Sequence, residues 1–309
     1  MATHLAVSIV AADPDEALNK AYTLPPEVTM VEYRLDMMAW VDVSHLSTET
    51  PIPAIFTCRP PHEGGHFQGS EKDRLEILKD ALKTGHWVDL EWDTLATLGP
   101  SLTPEAQIIG SHHHFQAMLR EWSTWEQKLR SRGAHVAKLV GMAQSEEDAY
   151  EPLSWLSQAL GPSIGIAMGA AGVATRLLAP RFPKAFLTFA SLDQTTAPGQ
   201  VSIHEWVQRF GFTQTAEADP LLALLTPEPI PWDRVAVLRE EARARFPDRR
   251  PWVLPIPTRQ VTFGLLRALH LARVEQVRFL PGVALALDVE RMGLSPNTYV
   301  TLPIAPQQK

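Results

Sequence analysis

Val136-Ala137-Lys138-Leu139-Val140 sets one amine in the middle of an otherwise apolar pentapeptide. A short apolar run of this kind, rich in β-branched residues, is what a strand buried on both faces looks like. A lysine there is costly to keep charged, so its pKa should fall unless the side chain snorkels to water. About 25 residues earlier runs Ile108-Ile109-Gly110-Ser111-His112-His113-His114-Phe115, which brings histidines to the end of a second apolar segment. A neutral amine beside an imidazole is the equipment for imine formation followed by proton transfer.

Outward from this pair the same rhythm repeats. Apolar runs occur at Leu5 to Val10, Thr29 to Tyr33, Ala54 to Cys58, Trp87 to Trp92, Gln107 to His112, Val136 to Val140, Ile164 to Met168 and Ala185 to Phe189. Stretches of helical period lie between them. Ser70 to Thr84 carries Leu75, Ile77, Leu78 and Leu82 on its apolar stripe. Ser145 to Leu160 opens with a candidate N-cap and an acidic first turn. Eight strand-then-helix units predict an α/β chain folded as a (β/α)8 TIM barrel, whose active site lies at the C-terminal ends of the strands. The polar residues at those ends form a coherent set: Ser8, Glu32, Arg34, Arg59, Glu63, Asp89, Glu91, His113, Lys138, Met168 and Arg176. Carboxylates, arginines, a histidine and a lysine together suit a polyhydroxylated, anionic substrate bearing a carbonyl.

The bulk numbers bound the rest. The 309 residues are 45% hydrophobic and 20% charged, an ordinary composition for a soluble globular protein. The net charge of −7 argues against a nucleic-acid surface. No apolar run approaches the roughly 20 residues that span a bilayer. The N-terminus lacks a basic signal region, and one cysteine, Cys58, forms no internal disulfide, so a reduced cytoplasmic setting is expected.

Blocks in a particular order now resemble a family, the type I 3-dehydroquinate dehydratases, over about residues 4–211. They are EYRLD at 32–36, FTCRPPHEGG at 56–65, VDLEW at 88–92, SHHHF at 111–115, AKLVGM at 137–142, MGAAGVATRL at 168–177 and APGQVSI at 197–203. The resemblance implies dehydration of 3-dehydroquinate to 3-dehydroshikimate through a covalent imine, with no metal and no cofactor. Lys138 matches the Schiff-base lysine and His113 the catalytic acid and base. Glu63 matches the carboxylate near that histidine, and Asp89 one that helps orient it. Glu32, Arg34 and Arg59 match hydroxyl-binding positions, Ser8 stands with them, and Arg176 matches the carboxylate grip. Met168 and Phe189 match apolar walls. Gln200 lies in a closing loop, where Thr196 replaces a frequent serine. A small-molecule substrate, a homodimer, and neither nucleic acid nor membrane as partner complete the expectation.

Three departures stand out. His114 occupies a place the family usually gives to aspartate or asparagine, which implies a lower pKa for His113. Ile166 replaces a common methionine. Arg181-Phe182-Pro183-Lys184 lacks the usual Gly-Ser and is one residue longer, which bears on the base of the lid.

Rival readings are weaker. His112, His113 and His114 alternate direction along a strand and make poor joint zinc ligands. The glycines of 165–172 fit neither nucleotide-binding pattern. Glu146, Glu147 and Asp148 cap a helix, and Asp93 through Leu98 reads as connector. Two other functions use the same barrel: a ligand-binding sensor with output elsewhere, and another imine-forming lyase of aldolase type. Retention of Lys138, His113, Glu63 and Arg176 together favours catalysis, and the EYRLD, EGG and APGQ blocks favour the dehydratase.

Beyond a boundary near Thr215 the composition shifts. Residues 216–309 carry 12 Lys+Arg against 10 Asp+Glu, whereas 1–215 carry 16 against 25. The chain thus divides into 1–215, the barrel, and 216–309, a small α+β C-terminal module of unknown role. Helices are expected at Asp233 to Phe246 and Arg259 to Val274, and strands at Trp252 to Ile256, Val283 to Asp288 and Thr298 to Leu302. Thr226 to Pro231 reads as a stiff linker. The module is too short for a fused shikimate dehydrogenase and has no Gly-x-Gly-x-x-Gly. Oligomerisation or regulation suits it better than catalysis.

Overall fold

The computed structural model describes residues 3–99, 102, 105–192, 197–210, 221–227, 232–256, 259–280, 283–285, 289 and 299–301. Eight parallel strands form the barrel: β1 His4–Ile9, β2 Met30–Arg34, β3 Ala54–Thr57, β4 Trp87–Glu91, β5 Gln107–His114, β6 Val136–Met142, β7 Ser163–Met168 and β8 Leu187–Ser191. Neighbours in sequence are neighbours in the sheet from β1 to β7, and β8 returns to pair with β1. All eight expected strands are present, displaced at their ends by one or two residues.

Strand parity separates two cores. Ala6, Met30, Ile55, Ile109, Val136, Ile164 and Leu187 pack together inside the barrel. Leu5, Val7, Val31, Phe56, Val88, Leu90, Ala137 and Leu139 face the other way, into the core shared with the helices. A strand exposes alternate residues to alternate faces, so each inward apolar residue is followed two positions later by another inward one. Towards the carboxyl ends those next positions are Ser8, Glu32, Thr57, Asp89, Ser111 and Lys138, all buried. The barrel is therefore apolar at its base and polar at its mouth.

The outer helices are α1 Pro14–Tyr22, α2 Val43–Glu49, α3 Glu71–Leu82, α4 Trp92–Leu98, α5 Trp122–Ser131, α6 Tyr150–Gln158 and α7 Val173–Leu178. Ser70 caps α3 with Asp73 in a reciprocal box. Ser145 makes the same box with Asp148, although the first turn after it, Glu146–Ala149, is 3-10 before α6 begins. The segment read as connector, 93–98, is helical: it belongs to α4, a short helix that follows β4 directly and buries Thr94, Leu95 and Leu98.

The wall between β7 and β8 is built differently from the other seven. One parallel bridge, Ser163 to Ala185, joins them at the base. Above it α7 spans the gap: Ala167 N donates to Thr175 Oγ1 at 3.1 Å, and Thr188 Oγ1 donates to the Arg176 carbonyl at 3.0 Å. At the top a short strand β9, Val201–Ser202, pairs with the free side of β8. A last turn, α8 Ile203–Glu205, follows with its own capping box at Ser202.

The C-terminal module alternates strand and helix: β10 Leu221–Pro227, α9 Trp232–Arg245, β11 Arg250–Ile256, β12 Gln260–Val261, α10 Phe263–Leu271, β13 Val274–Phe279, β14 Ala284–Leu285 and β15 Tyr299–Thr301. Its main sheet has the order β11-β10-β13-β15, with the first three strands parallel and β15 antiparallel. Two sequence readings are corrected here. Thr226 and Pro227 end a strand instead of opening a linker, and residues 228–231 lie outside the described residues. The second helix is shorter than Arg259 to Val274, because Val261 and Val274 belong to strands on either side of it. The boundary near Thr215 also lies outside the described residues.

Candidate active site

Ser8, Glu32, Arg34, Thr57, Arg59, Glu63, His113, Lys138 and Arg176 line one pocket of about 550 Å³ that opens to solvent, with Asp89 and Ser111 behind them. Lys138, from the middle of β6, is held by Asp89 of β4, with Nζ 2.7 Å from Oδ2. Glu32 of β2 stands farther off, its Oε1 4.0 Å from the amine. The Phe189 ring lies under the ammonium position, 4.9 Å to its centroid.

Asp89 is the hub of this mouth. Arg59 reaches its Oδ2 at 2.9 Å, and Ser111 Oγ donates to Oδ1 at 2.6 Å. Burial raises the Asp89 carboxyl, but the Arg59 and Lys138 side chains outweigh it and hold the group well below the usual carboxylate range. Arg59 also donates to Glu91 at 2.6 Å, and Glu91 accepts from Arg74 of α3 at 3.1 Å. Burial disfavours the Arg59 charge, yet Asp89 and Glu91 together raise its pKa above that of a free guanidinium. Asp89, Arg59, Glu91 and Arg74 thus form one buried network in which each carboxylate is paired with a guanidinium.

His113, near the end of β5, faces inward with its Nδ1 2.9 Å from Glu63 Oε2. Glu63 comes from a 3-10 turn, Pro61–Glu63, in the loop after β3, and Gly64 closes that turn at φ +74°, a left-handed conformation suited to glycine. Burial pushes the Glu63 carboxyl up to about 7, with Arg59 opposing. Burial, then Arg59 and Lys138, hold the His113 imidazole well below its ordinary value. His113 is therefore neutral near pH 7 and free to accept a proton.

The direction of the His113 shift is the one expected from His114, but its cause is different. His114 turns to the backbone of Ala117, whose carbonyl lies 3.0 Å from His114 Nδ1. His112 stacks on Trp125, with ring centroids 3.7 Å apart. Asp89, expected to orient the histidine, accepts instead from Lys138, Arg59 and Ser111; the group bonded to His113 is Glu63.

Arg176 enters the pocket from α7. It is 2% exposed, its Nε has no hydrogen-bond partner among the described residues, and burial pushes its pKa down to about 10. A buried guanidinium without a carboxylate beside it among the described residues is suited to pair with an anionic ligand. Ser8 Oγ donates to Glu32, and Thr57 Oγ1 donates to the other Glu32 oxygen at 2.9 Å. Arg34 is engaged bidentately by Asp36 at 2.9 and 2.8 Å, with its guanidinium on the pocket wall. Met168, Phe189 and Gln200 line the pocket, as does Ile166. Thr196 lies outside the described residues.

Segment 197–200, expected to close over the site, meets the end of β7. Gly169 N donates to the Pro198 carbonyl at 3.1 Å, and a Cβ on Gly199 would lie 2.2 Å from the Gly169 carbonyl oxygen. The loop can approach this closely only without a side chain there.

The sequence reading missed Thr57, Ser111 and Asp36 as site residues. Thr57 and Ser111 are inward by the same parity as Arg59 and His113, so alternation along β3 and β5 would have found them. Asp36 sits inside the EYRLD block two residues after the arginine it holds. Among the described residues no group of three His, Cys, Asp or Glu side chains is placed to hold a metal ion, and no helix is long and apolar enough to cross a membrane.

Comparison with known proteins places this geometry. The family model of type I 3-dehydroquinase matches residues 5–217. The chain is 31% identical over 208 residues to the 3-dehydroquinate dehydratase of Methanocaldococcus jannaschii, covering 64% of this chain and 94% of that protein. It is 28% identical over 207 residues to the chloroplastic bifunctional 3-dehydroquinate dehydratase/shikimate dehydrogenase of Arabidopsis thaliana, of whose length it spans 34%. A solved structure, the dehydroquinate dehydratase and shikimate dehydrogenase from S. pombe AroM, superposes with a TM-score of 0.55 at 20% identity, covering 93% of this chain and 57% of that one. That likeness of fold extends beyond the barrel into the C-terminal module. The chain belongs to the type I 3-dehydroquinase family.

Proposed function

We propose that this type I 3-dehydroquinase dehydrates 3-dehydroquinate to 3-dehydroshikimate and water through an imine on Lys138. The observation that carries the reading is one pocket holding a buried amine, a neutral imidazole and a buried arginine whose Nε has no partner among the described residues.

The substrate carboxylate pairs with Arg176, which removes the cost of that buried charge. This contact sets the ring across the pocket, with its hydroxyls against Glu32, Arg34 and Arg59. Lys138 gives up a proton and attacks the C3 carbonyl carbon, and the ketone oxygen leaves as water. The resulting iminium stays cationic beside ionised Asp89, with Glu32 as a second carboxylate, an electrostatic setting prepared before the charge arrives. The iminium withdraws electrons from C2. His113 takes the C2 proton, leaving an enamine, and returns a proton to the departing C1 hydroxyl. Glu63 orients the imidazole throughout, and water then hydrolyses the conjugated imine to release product and the free lysine. Gln200 and the lid segment close the mouth, so that the imine is not hydrolysed before elimination.

Borohydride reduction with 3-dehydroquinate present, followed by peptide mass mapping, tests the covalent step. The expected result is a reduced adduct on Lys138; turnover to enone product without any adduct on that residue overturns it. The cytoplasmic setting and the homodimer expected from sequence belong to the same reading, and light scattering checks the second.

A further inference from the structure

Helices outside a barrel normally bury one face and show the other to water. The helix α3 does so, with Arg74, Leu78 and Ala81 buried and Glu71, Lys72 and Asp73 exposed. The helix α7 does not: all six of its residues are buried. This is the helix that carries Arg176. What covers its outer side is the C-terminal module, whose β11 packs against α7. Val173, Ala174, Leu177 and Leu178 share one continuous core with Trp252, Leu254, Ile256, Leu265 and Leu269 of the module.

The module is clamped at this place through both ends of α10. At its N-terminus, Gly264 N donates to Glu147 Oε2 at 2.6 Å. At its C-terminus, the carbonyl of Ala272 accepts from Arg181 Nε at 3.0 Å. A carboxylate at the positive end of a helix dipole and a guanidinium at the negative end both stabilise it. Between them Arg267 stacks on Tyr150, 3.7 Å from guanidinium carbon to ring centroid, and donates to its hydroxyl. Glu147 belongs to the 3-10 turn after β6, and that turn packs against α7 in its own right. Arg181 ends the 3-10 turn, Ala179–Arg181, that follows α7, in the stretch where the sequence departs from the family.

We infer that the C-terminal module is the outer wall of α7 and positions Arg176 for the substrate carboxylate. Glu147 and Arg181 act as positioning residues through α10 and do not touch the substrate. Loss of the wall would expose the apolar outer side of α7 and let the helix shift, which weakens the carboxylate grip while leaving Lys138, Asp89 and His113 in place. Only the kinetic part of this inference rests on the proposed dehydration.

Two variants of the full chain test it. A Cβ at position 264 would lie 2.5 Å from the Glu147 carboxyl carbon, so Gly264→Ala lifts α10 off its seat. Alanine otherwise favours a helix interior over glycine, so any loosening reports the collision and not helix propensity. Arg181→Ala releases the other end and serves alone if Gly264→Ala fails to fold. In each, hydrogen exchange across residues 170–178 should quicken, and KM for 3-dehydroquinate should rise about tenfold with kcat within about twofold. Unchanged exchange over 170–178 together with unchanged KM overturns the inference. A wild-type chain that exchanges as expected but turns over no 3-dehydroquinate would refute the proposed function and leave the positioning intact.

Discussion

Asp89 Oδ2 lies 2.7 Å from Lys138 Nζ, two strands away across the barrel mouth, and the same oxygen is held by Arg59. The amine proposed to bond the substrate is therefore tethered to a carboxylate that stays ionised under all ordinary conditions. Asp89→Asn keeps the shape and removes the charge. It should lower kcat by about 100-fold, because the iminium loses its counter-ion. It should also cost about 3 kcal/mol of stability by leaving Arg59 and Lys138 undercompensated. Steady-state kinetics and urea unfolding measure the two effects, and an unaltered kcat would refute the role.

The pair His113 and Glu63 sets the acid limb. The imidazole is held low and the carboxyl is raised to about 7, so the pair takes up one proton as pH falls through about 7. That proton goes to the Glu63 carboxyl and removes the anion that holds the His113 imidazole in its basic, oriented form. A plot of kcat/KM against pH should bend downwards below about 7. A profile flat to pH 5 would contradict the assignment.

Glu63→Gln separates activity from stability. The Glu63 carboxyl titrates at 4.5 in the unfolded chain and at about 7 in the folded one, so the folded form binds the extra proton between those values. Stability contributed by this group is present below pH 4.5 and is lost as pH rises through about 7. Glutamine cannot ionise and escapes that loss. The variant should melt higher than wild type at pH 8, with the difference vanishing near pH 4, while kcat falls. A variant less stable than wild type at pH 8 would show that the ionised carboxylate is compensated by partners.

Arg176→Met tests the anion grip. A buried guanidinium with an unpartnered Nε destabilises the empty enzyme, so methionine should raise stability by about 1 kcal/mol or more. The same change should raise KM by about 100-fold or more through loss of a charge-assisted pair. A rise in KM without the gain in stability would mean that the arginine is satisfied before substrate arrives.

His114→Asn restores a residue usual in the family. Since His114 bonds the Ala117 backbone, the pH profile should stay where it is in wild type. A shifted acid limb would give His114 the influence on His113 that its sequence position suggests.

Reading the chain without coordinates recovered the barrel because alternation and apolar runs are local signals, and strand ends converge by topology. Lys138 and His113 fall at the barrel mouth by the same topology. The family resemblance assigned Asp89 to the histidine, because matched blocks say which groups meet at the mouth, not which pairs bond. Glu147 and Arg181 were read as a helix cap and a lid base. Their partners lie 117 and 91 residues away in a part of the chain without recognised motifs, so no local pattern could reveal them.

A parallel barrel fixes its own circumference when every neighbouring pair of strands is laddered. Here seven walls are laddered, while the eighth carries a single bridge at its base and is filled above by a helix and a two-residue strand. The ring is in effect a cuff with one adjustable closure. Through that closure a helix from outside the ring, laced to β7 by Thr175 and to β8 by Thr188, delivers an arginine to the interior.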